Sequence, residues 1–205
     1  MKIKVFNQAS IKLEDDVNIY FDTYDFKSEV HDADYIFITH NHYDHYDEES
    51  INKIMNSNTI IIVPNSLKEK AMKLTNNVIA VLPNNTYQVD TIKFETVASY
   101  NIDKKFHPKE NNNVGYILTI KGIKYYVMGD TDRTQETDMV KTDVCFVPIG
   151  GTYTMDVFEA IEYINYIKPK KVIPIHYGSI VGDINLGEEF KNKINKEIEV
   201  ELHIK

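Results

Sequence analysis

Cysteine is nearly absent from the sequence. Cys145 is the only one among 205 residues, so the chain can form no internal disulfide and no cysteine-rich metal site. It lies in an apolar stretch, residues 143–148. A cysteine in such surroundings is typically a small buried hydrophobic side chain, and we expect that role here in place of a nucleophile.

Long hydrophobic runs are also missing. No apolar stretch approaches the ~18 residues that a membrane-spanning helix needs, so we expect no membrane span. Residues 1–6 alternate polar and apolar side chains, as a strand does, and they lack the apolar core and cleavage site of a secretory signal. The sequence therefore predicts a cytoplasmic protein.

The sequence has fewer basic than acidic residues. Lysine and arginine together number 23 against 31 aspartate and glutamate residues, a formal net charge of −8. An acidic surface repels phosphate backbones, which argues against a nucleic-acid-binding protein. We expect a small-molecule substrate instead, and the sequence leaves open whether the chain forms a homo-oligomer.

The chain has no linker or low-complexity tract, which predicts a single domain over residues 1–205. Strand patterns come first and then alternate with helical ones, which favours an α+β fold of two mixed sheets with helices on the outer faces. Ser66 with Glu69, and Asp132 with Gln135, have the form of helix capping boxes. Strands are predicted over residues 2–6, 10–13, 17–22, 35–39, 59–63, 78–82, 86–90, 91–99, 114–120, 123–128, 144–147, 171–175 and 198–204, and helices over 47–56, 66–74, 155–167 and 186–195.

A cluster of histidines follows the predicted strand 35–39. His40, His42, Asp44 and His45 fall within six residues, although the whole chain has only seven histidines. Imidazole nitrogen and carboxylate oxygen are ligands that suit divalent transition metals. The cluster therefore predicts a metal site at the end of a strand, in preference to a chance grouping.

This cluster resembles the metal-binding motif of the metallo-β-lactamase superfamily. Asp130 comes after the predicted strands 114–120 and 123–128, which have the form of a hairpin. His176 comes after the predicted strand 171–175, and both residues follow in the order that this family has. The resemblance implies an αββα sandwich that holds two divalent metal ions, zinc first, with manganese or iron as alternatives.

The resemblance also implies roles for individual residues. His107 is the only histidine between the first cluster and Asp130, and we prefer a ligand role for it over that of a surface loop residue. Asp22 resembles the family's strand-end aspartate that supports the site, although a plain turn aspartate fits nearly as well. The implied assignment gives His40, His42 and His107 to the first metal, gives Asp44, His45 and His176 to the second, and makes Asp130 the bridge.

The family chemistry is hydrolysis by a hydroxide held between the two metals. Asp44 and Asp130 would orient and hold it, and Tyr177 would offer a hydrogen bond to the developing oxyanion. A chain with 14 tyrosines uses most of them for packing, so packing is the alternative for Tyr177. The predicted rim of the pocket consists of Tyr43, Tyr46, Tyr100, Tyr153 and Tyr177.

Departures from the family pattern reduce the number of activities that the resemblance allows. Tyr46 and Asp47 stand where the glyoxalase-type members have two glycines, which argues against a thioester hydrolase. The sequence resembles the small cytosolic branch that includes ascorbate-phosphate lactonase and the N-acylphosphatidylethanolamine phospholipase. A lactone, a phosphodiester and an amide all stay open as substrates. The alternatives are an iron enzyme that acts on oxygen or persulfide and a non-catalytic metal-binding protein.

Overall fold

The computed structural model describes residues 1–204, so the last residue of the predicted single domain, Lys205, lies outside the described part. The chain divides into two compact units, one over Met1–Leu82 and one that begins at Pro83. Each unit contains one sheet and its own helices. The single domain stays a prediction.

The first unit is built on a six-stranded mixed sheet in which the strands follow one another in chain order. β1, β2 and β3 are antiparallel, and β3 to β6 are parallel. The strands are β1 (Lys2–Val5), β2 (Ile11–Glu14), β3 (Asn18–Phe21), β4 (Ala33–Phe37), β5 (Met55–Pro64) and β6 (Val78–Val81).

The first unit also contains two α-helices, α1 (Glu48–Ile54) and α2 (Lys68–Ala71). The side chain of Asp47 caps α1 by accepting from the Glu49 amide, and Ile51 and Ile54 are buried on the helical spacing that the sequence predicts. The predicted cap at Ser66 is wrong. A 3-10 turn over Asn65–Leu67 precedes α2, and α2 has no side-chain cap.

The second unit is built on a seven-stranded mixed sheet in the order β13-β12-β11-β10-β9-β8-β7. β7 to β10 are antiparallel, and β10 to β13 are parallel. The strands are β7 (Thr86–Val89), β8 (Ile92–Ala98), β9 (Val114–Ile120), β10 (Ile123–Val127), β11 (Val144–Pro148), β12 (Lys171–Ile175) and β13 (Glu199–Val200). The predicted last strand was therefore too long.

Three helices complete this unit, α3 (Gln135–Asp138), α4 (Val157–Ile167) and α5 (Leu186–Lys193). Asp156 and Glu159 form a capping box for α4. The cap of α3 is Thr134 with Thr137, which corrects the predicted Asp132 cap. Asp132 instead accepts from the Ile102 amide at 2.9 Å and pairs with Lys104.

The predicted pair of mixed sheets with helices is confirmed, and so is the buried position of Cys145. Burial raises the pKa of the Cys145 thiol, which makes it a poor nucleophile. Among residues 1–204, no helix has the length and apolar character needed to cross a membrane.

Parallel strands bring their carboxyl ends to one edge of each sheet, and the candidate residues follow those ends. In the first unit Asp22 follows β3, and residues 38–46, which we term the histidine loop, follow β4. In the second unit Asp130 lies three residues after β10 and His176 directly after β12, while β11 runs between these two strands. The fold thus collects the predicted ligands of each unit at one sheet edge.

Candidate metal centre

The histidine loop draws its four candidate ligands together. The amides of His45 and Tyr46 both donate to the His42 carbonyl, at 3.0 and 2.8 Å, and close a tight turn. The ring of His40 lies 4.7 Å from that of His42 and 4.0 Å from that of His45, centroid to centroid. Nε2 of His45 lies 3.7 Å from Oδ2 of Asp44. His42 is half-buried and the other three side chains are buried.

Asp22 holds the base of the histidine loop. Its two carboxylate oxygens accept from the Thr39 amide at 2.8 Å and from the Thr39 hydroxyl at 2.7 Å. Oδ2 also accepts from Nδ1 of His45 at 2.7 Å. Because Nδ1 carries the proton in that bond, Nε2 of His45 keeps its lone pair for a metal. These contacts favour a supporting role for Asp22 over that of a plain turn residue.

Thr39 extends this support to a second histidine. Its hydroxyl donates its one proton to Asp22, so it can only accept from Nδ1 of His40, 3.0 Å away. Nε2 of His40 is therefore also the nitrogen with a lone pair. Sequence reasoning missed Thr39. The available signal was a polar residue at the end of the apolar run 35–39, directly before the first histidine.

Gln8 is a second residue that sequence reasoning missed. Its side-chain amide donates to Oδ2 of Asp44 at 3.3 Å, and the residue is fully buried with a left-handed backbone, φ 53°. The contact joins residues 36 positions apart, and glutamine carries no metal-ligand signature. Nothing in the local sequence indicates the contact.

In the second unit, one carboxylate oxygen faces two imidazoles. Oδ2 of Asp130 lies 3.6 Å from Nε2 of His107 and 3.2 Å from Nε2 of His176. All three side chains are buried. The Ser99 hydroxyl donates to the Asp130 carbonyl at 3.0 Å and so fixes the backbone at the aspartate.

Gly150 makes room for His176. A Cβ at position 150 would overlap the backbone carbonyl oxygen of His176, which cannot move away as a flexible side chain could. Ile149 also bonds through its amide to the Ile175 carbonyl at 3.1 Å. The glycine is therefore required by the close approach of the segment after β11 to His176, which follows β12.

The tyrosines predicted at the pocket rim lie in different environments. Tyr43 is 64% exposed and packs edge-on against Tyr24 at 5.8 Å between ring centroids, whereas Tyr46 is buried below the ammonium of Lys70.

Tyr177 is fully buried, and its hydroxyl donates to the Ile204 carbonyl at 3.2 Å. Burial, with Glu188 nearby, raises the pKa of Tyr177 to about 12. This geometry favours packing over proton donation for Tyr177. Tyr100 and Tyr153 are half-buried.

A charged cluster anchors the strand-to-strand connection that carries His107. The Tyr100 hydroxyl donates to Glu136 at 2.8 Å, and Lys109 pairs with the same carboxylate at 2.6 Å. The Lys109 ammonium, with Tyr100, lowers the pKa of Glu136 to about 2. Glu136 is therefore ionised at neutral pH and ties this connection to α3.

The donor set of both units fits divalent metal ions. It consists of imidazole nitrogens and carboxylate oxygens, the ligands of zinc and of other first-row metals. The hydrogen bonds to Nδ1 of His40 and His45 leave Nε2 as the donor atom. His31 and His203 take no part, because His31 contacts the Met55 carbonyl and His203 pairs with Glu201.

Comparison with known proteins gives consistent matches. The model of the family described as the beta-lactamase superfamily domain matches residues 2–176. A UPF0173 metal-dependent hydrolase of Thermococcus onnurineus is 30% identical over 182 residues, which is 85% of this chain and 80% of that protein. The crystal structure of a Parabacteroides distasonis protein superposes with a TM-score of 0.85 at 30% identity and covers 99% of this chain and 93% of its own.

A more distant structure shows how widely the fold is used. CmlA, a diiron β-hydroxylase from Streptomyces venezuelae, superposes with a TM-score of 0.74 at 13% identity, over 98% of this chain and 52% of its own. At that identity the match shows the fold alone. Together the superpositions confirm the predicted fold class.

Proposed function

This chain belongs to the metallo-β-lactamase superfamily, and on that premise we propose that it is a hydrolase that works with two divalent metal ions. The Thermococcus relative carries the name of a metal-dependent hydrolase and covers most of this chain. The buried imidazole and carboxylate donors supply ligands of the type that such an enzyme needs. Zinc is the first choice of metal, with manganese or iron as alternatives.

The proposed ligand assignment follows the family order. Asp130 would bridge the two metals, and the remaining candidate ligands would divide into two sets. The first metal would take His40, His42 and His107, and the second would take Asp44, His45 and His176.

One observation carries this proposal. A single carboxylate oxygen, Oδ2 of Asp130, lies between Nε2 of His107 and Nε2 of His176, at 3.6 and 3.2 Å. Three buried groups of this kind would be costly to assemble without a cation to neutralise the carboxylate. The arrangement supports a metal-bridging role for Asp130.

When bound, the metal pair would make water acidic enough to deprotonate near neutral pH and would polarise the scissile bond of the substrate. The protein's own contribution is orientation. Gln8 fixes the carboxylate of Asp44 by its hydrogen bond to Oδ2, and Asp44 would help to orient the attacking water. Asp22 and Thr39 hold the rings of His40 and His45. Tyr177 has no part in this scheme.

The proposed substrate is a small molecule with a lactone, phosphodiester or amide bond. The likeness to CmlA concerns the fold alone, and the relative at 30% identity is a hydrolase by name, so hydrolysis is preferred over iron redox chemistry. A non-catalytic metal-binding role is the remaining alternative. The cytoplasmic location, the absence of nucleic-acid binding and the oligomeric state stay predictions.

A substrate panel tests the proposal. Protein loaded with zinc, manganese or iron is assayed against lactones, phosphodiesters, amides and thioesters, and the matched control is Asp130→Asn, which keeps the shape and removes the charge. We expect turnover of at least one class by the wild type and a loss of several orders of magnitude in the variant. Consumption of oxygen or persulfide with no hydrolysis would replace the proposal by the iron enzyme, and metal binding with no turnover of any kind would favour the non-catalytic alternative.

A further inference from the structure

Asn101 lies in the connection that carries His107. Residues 99–108, which we term the His107 loop, leave β8 and turn back, and the Asn101 amide donates to the His107 carbonyl at 2.9 Å. The Asn101 side chain is buried. It is neither a metal ligand by type nor a member of the family motif described above, so its position in this loop requires another explanation.

The side-chain amide of Asn101 is fully used as a donor. Nδ2 donates to the Phe106 carbonyl at 2.9 Å and to the Tyr153 carbonyl at 2.7 Å. The second bond joins residues 52 positions apart, so it ties the His107 loop to the segment between β11 and α4. The rings of Phe106 and Tyr153 pack edge-on at 4.7 Å across the same junction.

The Tyr153 carbonyl also faces the imidazole of His107. Nδ1 of His107 lies 3.1 Å from that oxygen, and a carbonyl can only accept, so Nδ1 must carry the proton. Nδ2 of Asn101 is 3.4 Å from the same nitrogen. Because both of its protons already go to carbonyls, it does not compete for the imidazole.

The proton on Nδ1 leaves the lone pair on Nε2. Nε2 is the atom that lies 3.6 Å from Oδ2 of Asp130. His107 itself has a left-handed backbone conformation with φ 57°, a region that few residues other than glycine occupy. The bonds from Asn101 to the Phe106 and His107 carbonyls hold the chain at this turn.

We propose that Asn101 is a positioning residue for His107. By holding the Tyr153 carbonyl in place, Asn101 fixes the Nδ1–H tautomer of His107 and directs Nε2 toward the metal. The metal part of this inference rests on the proposed function. The tautomer part concerns the protein alone and stands without any metal.

The first test is the tautomer of His107 in metal-free protein, read from long-range ¹H–¹⁵N NMR at mildly alkaline pH. We expect Nδ1–H in the wild type. Asn101→Leu keeps the approximate shape of the side chain, removes both donors and adds no acceptor, so we expect a substantial Nε2–H population in this variant. The matched control is Asn85→Ala, which also removes an amide-to-carbonyl bond, in this case to Pro83 at 2.7 Å, and should leave His107 unchanged.

The second test is the metal affinity of the same three proteins, measured by titration with Zn²⁺ and by the visible spectrum of bound Co²⁺. Loss of a residue that orients a ligand typically weakens binding on the order of tenfold to a hundredfold, and we expect this for one metal in Asn101→Leu and no change in Asn85→Ala.

An Nε2–H tautomer in the wild type overturns the proposal, whether or not the variant folds. An Asn101→Leu variant with the wild-type tautomer and affinity overturns it as well. If the wild type shows Nδ1–H but binds no metal, the positioning of His107 stands and the proposed function fails.

Discussion

Oδ2 of Asp22 accepts a hydrogen bond from Nδ1 of His45 at 2.7 Å, and both side chains are fully buried. The same oxygen accepts from the hydroxyl of Thr39, which in turn contacts His40. The carboxylate of Asp22, which follows β3, therefore orients two candidate ligand histidines that follow β4. A carboxylate in this position also makes the imidazole that it holds a stronger metal ligand.

Replacement of Asp22 by asparagine should weaken the binding of both proposed metal ions. The left-handed backbone of Asp22, φ 40°, is one that asparagine tolerates, so the backbone should be kept while the charge is lost. We expect metal affinity to fall on the order of tenfold to a hundredfold and the free energy of unfolding to fall by about 2 kcal/mol, the scale of a hydrogen bond to a charged group. Isothermal titration with Zn²⁺ and urea denaturation measure the two effects.

The control for Asp22 is Asp34→Asn. Asp34 is an exposed carboxylate that accepts from the Asn18 amide at 2.7 Å, and its loss should leave metal binding unchanged. Equal metal affinities in Asp22→Asn and in the wild type would contradict the orienting role.

Thr39→Val should affect the site through His40. The substitution keeps the shape but removes the hydroxyl that joins Asp22 to His40, and a buried partner left without its hydrogen bond costs about 1–3 kcal/mol. We expect weaker binding of the metal that His40 is proposed to hold. Thr39→Ser, which restores the hydroxyl, should recover most of the affinity, and a Thr39→Ser protein as weak as Thr39→Val would show that packing matters more than the hydrogen bond.

Gly150→Ala should disturb His176. The added Cβ would overlap the His176 carbonyl, and overpacking of this kind costs about 1–3 kcal/mol. Gly122→Ala is the control, because its φ of 80° strains the backbone but nothing lies within 4 Å of the added Cβ. Thermal unfolding should show that both variants are less stable, while metal titration should show weaker binding only in Gly150→Ala. Wild-type binding by Gly150→Ala would contradict the close approach.

The protein should lose stability in alkaline solution. Burial raises the pKa of Tyr46 and the pKa of Tyr177 to about 12, above the ordinary value of about 10. A folded pKa above the unfolded one contributes stability that is complete below about pH 10 and is lost as the pH rises through about 12.

Urea denaturation as a function of pH measures this loss. The loss should be smaller in Tyr177→Phe than in the wild type, and unchanged in Tyr166→Phe, which alters an exposed ring. A flat stability from pH 9 upward would contradict the burial of these phenols.

Sequence reasoning succeeded where the signal is local. The strands β2 and β3, the hairpin of β9 and β10, and the spacing of Ile51 and Ile54 on α1 are each decided by residues close in the chain. The short last strand, β13, was overestimated because its pattern continues past the two residues that pair with β12.

The candidate ligands were found by residue type, whereas the residues that hold them were missed. Gln8, Thr39 and Asn101 are neutral polar residues whose roles depend on partners distant in the chain, such as Asp44 for Gln8 and Tyr153 for Asn101. The predicted helix cap at Ser66 is wrong although the local sequence has the form of a capping box. A 3-10 turn over Asn65–Leu67 stands where the first turn of the predicted helix would be. Long-range hydrogen bonds leave no periodic trace in a sequence.

The most direct measurement of the central claim is the rate of hydrolysis as metal is returned to stripped protein. With the best substrate of the panel, the rate should be near zero without metal, rise as Zn²⁺ is added and reach a plateau at about two equivalents per chain. Full hydrolysis by metal-free protein, or a plateau of bound metal with no hydrolysis at any stoichiometry, would contradict the account.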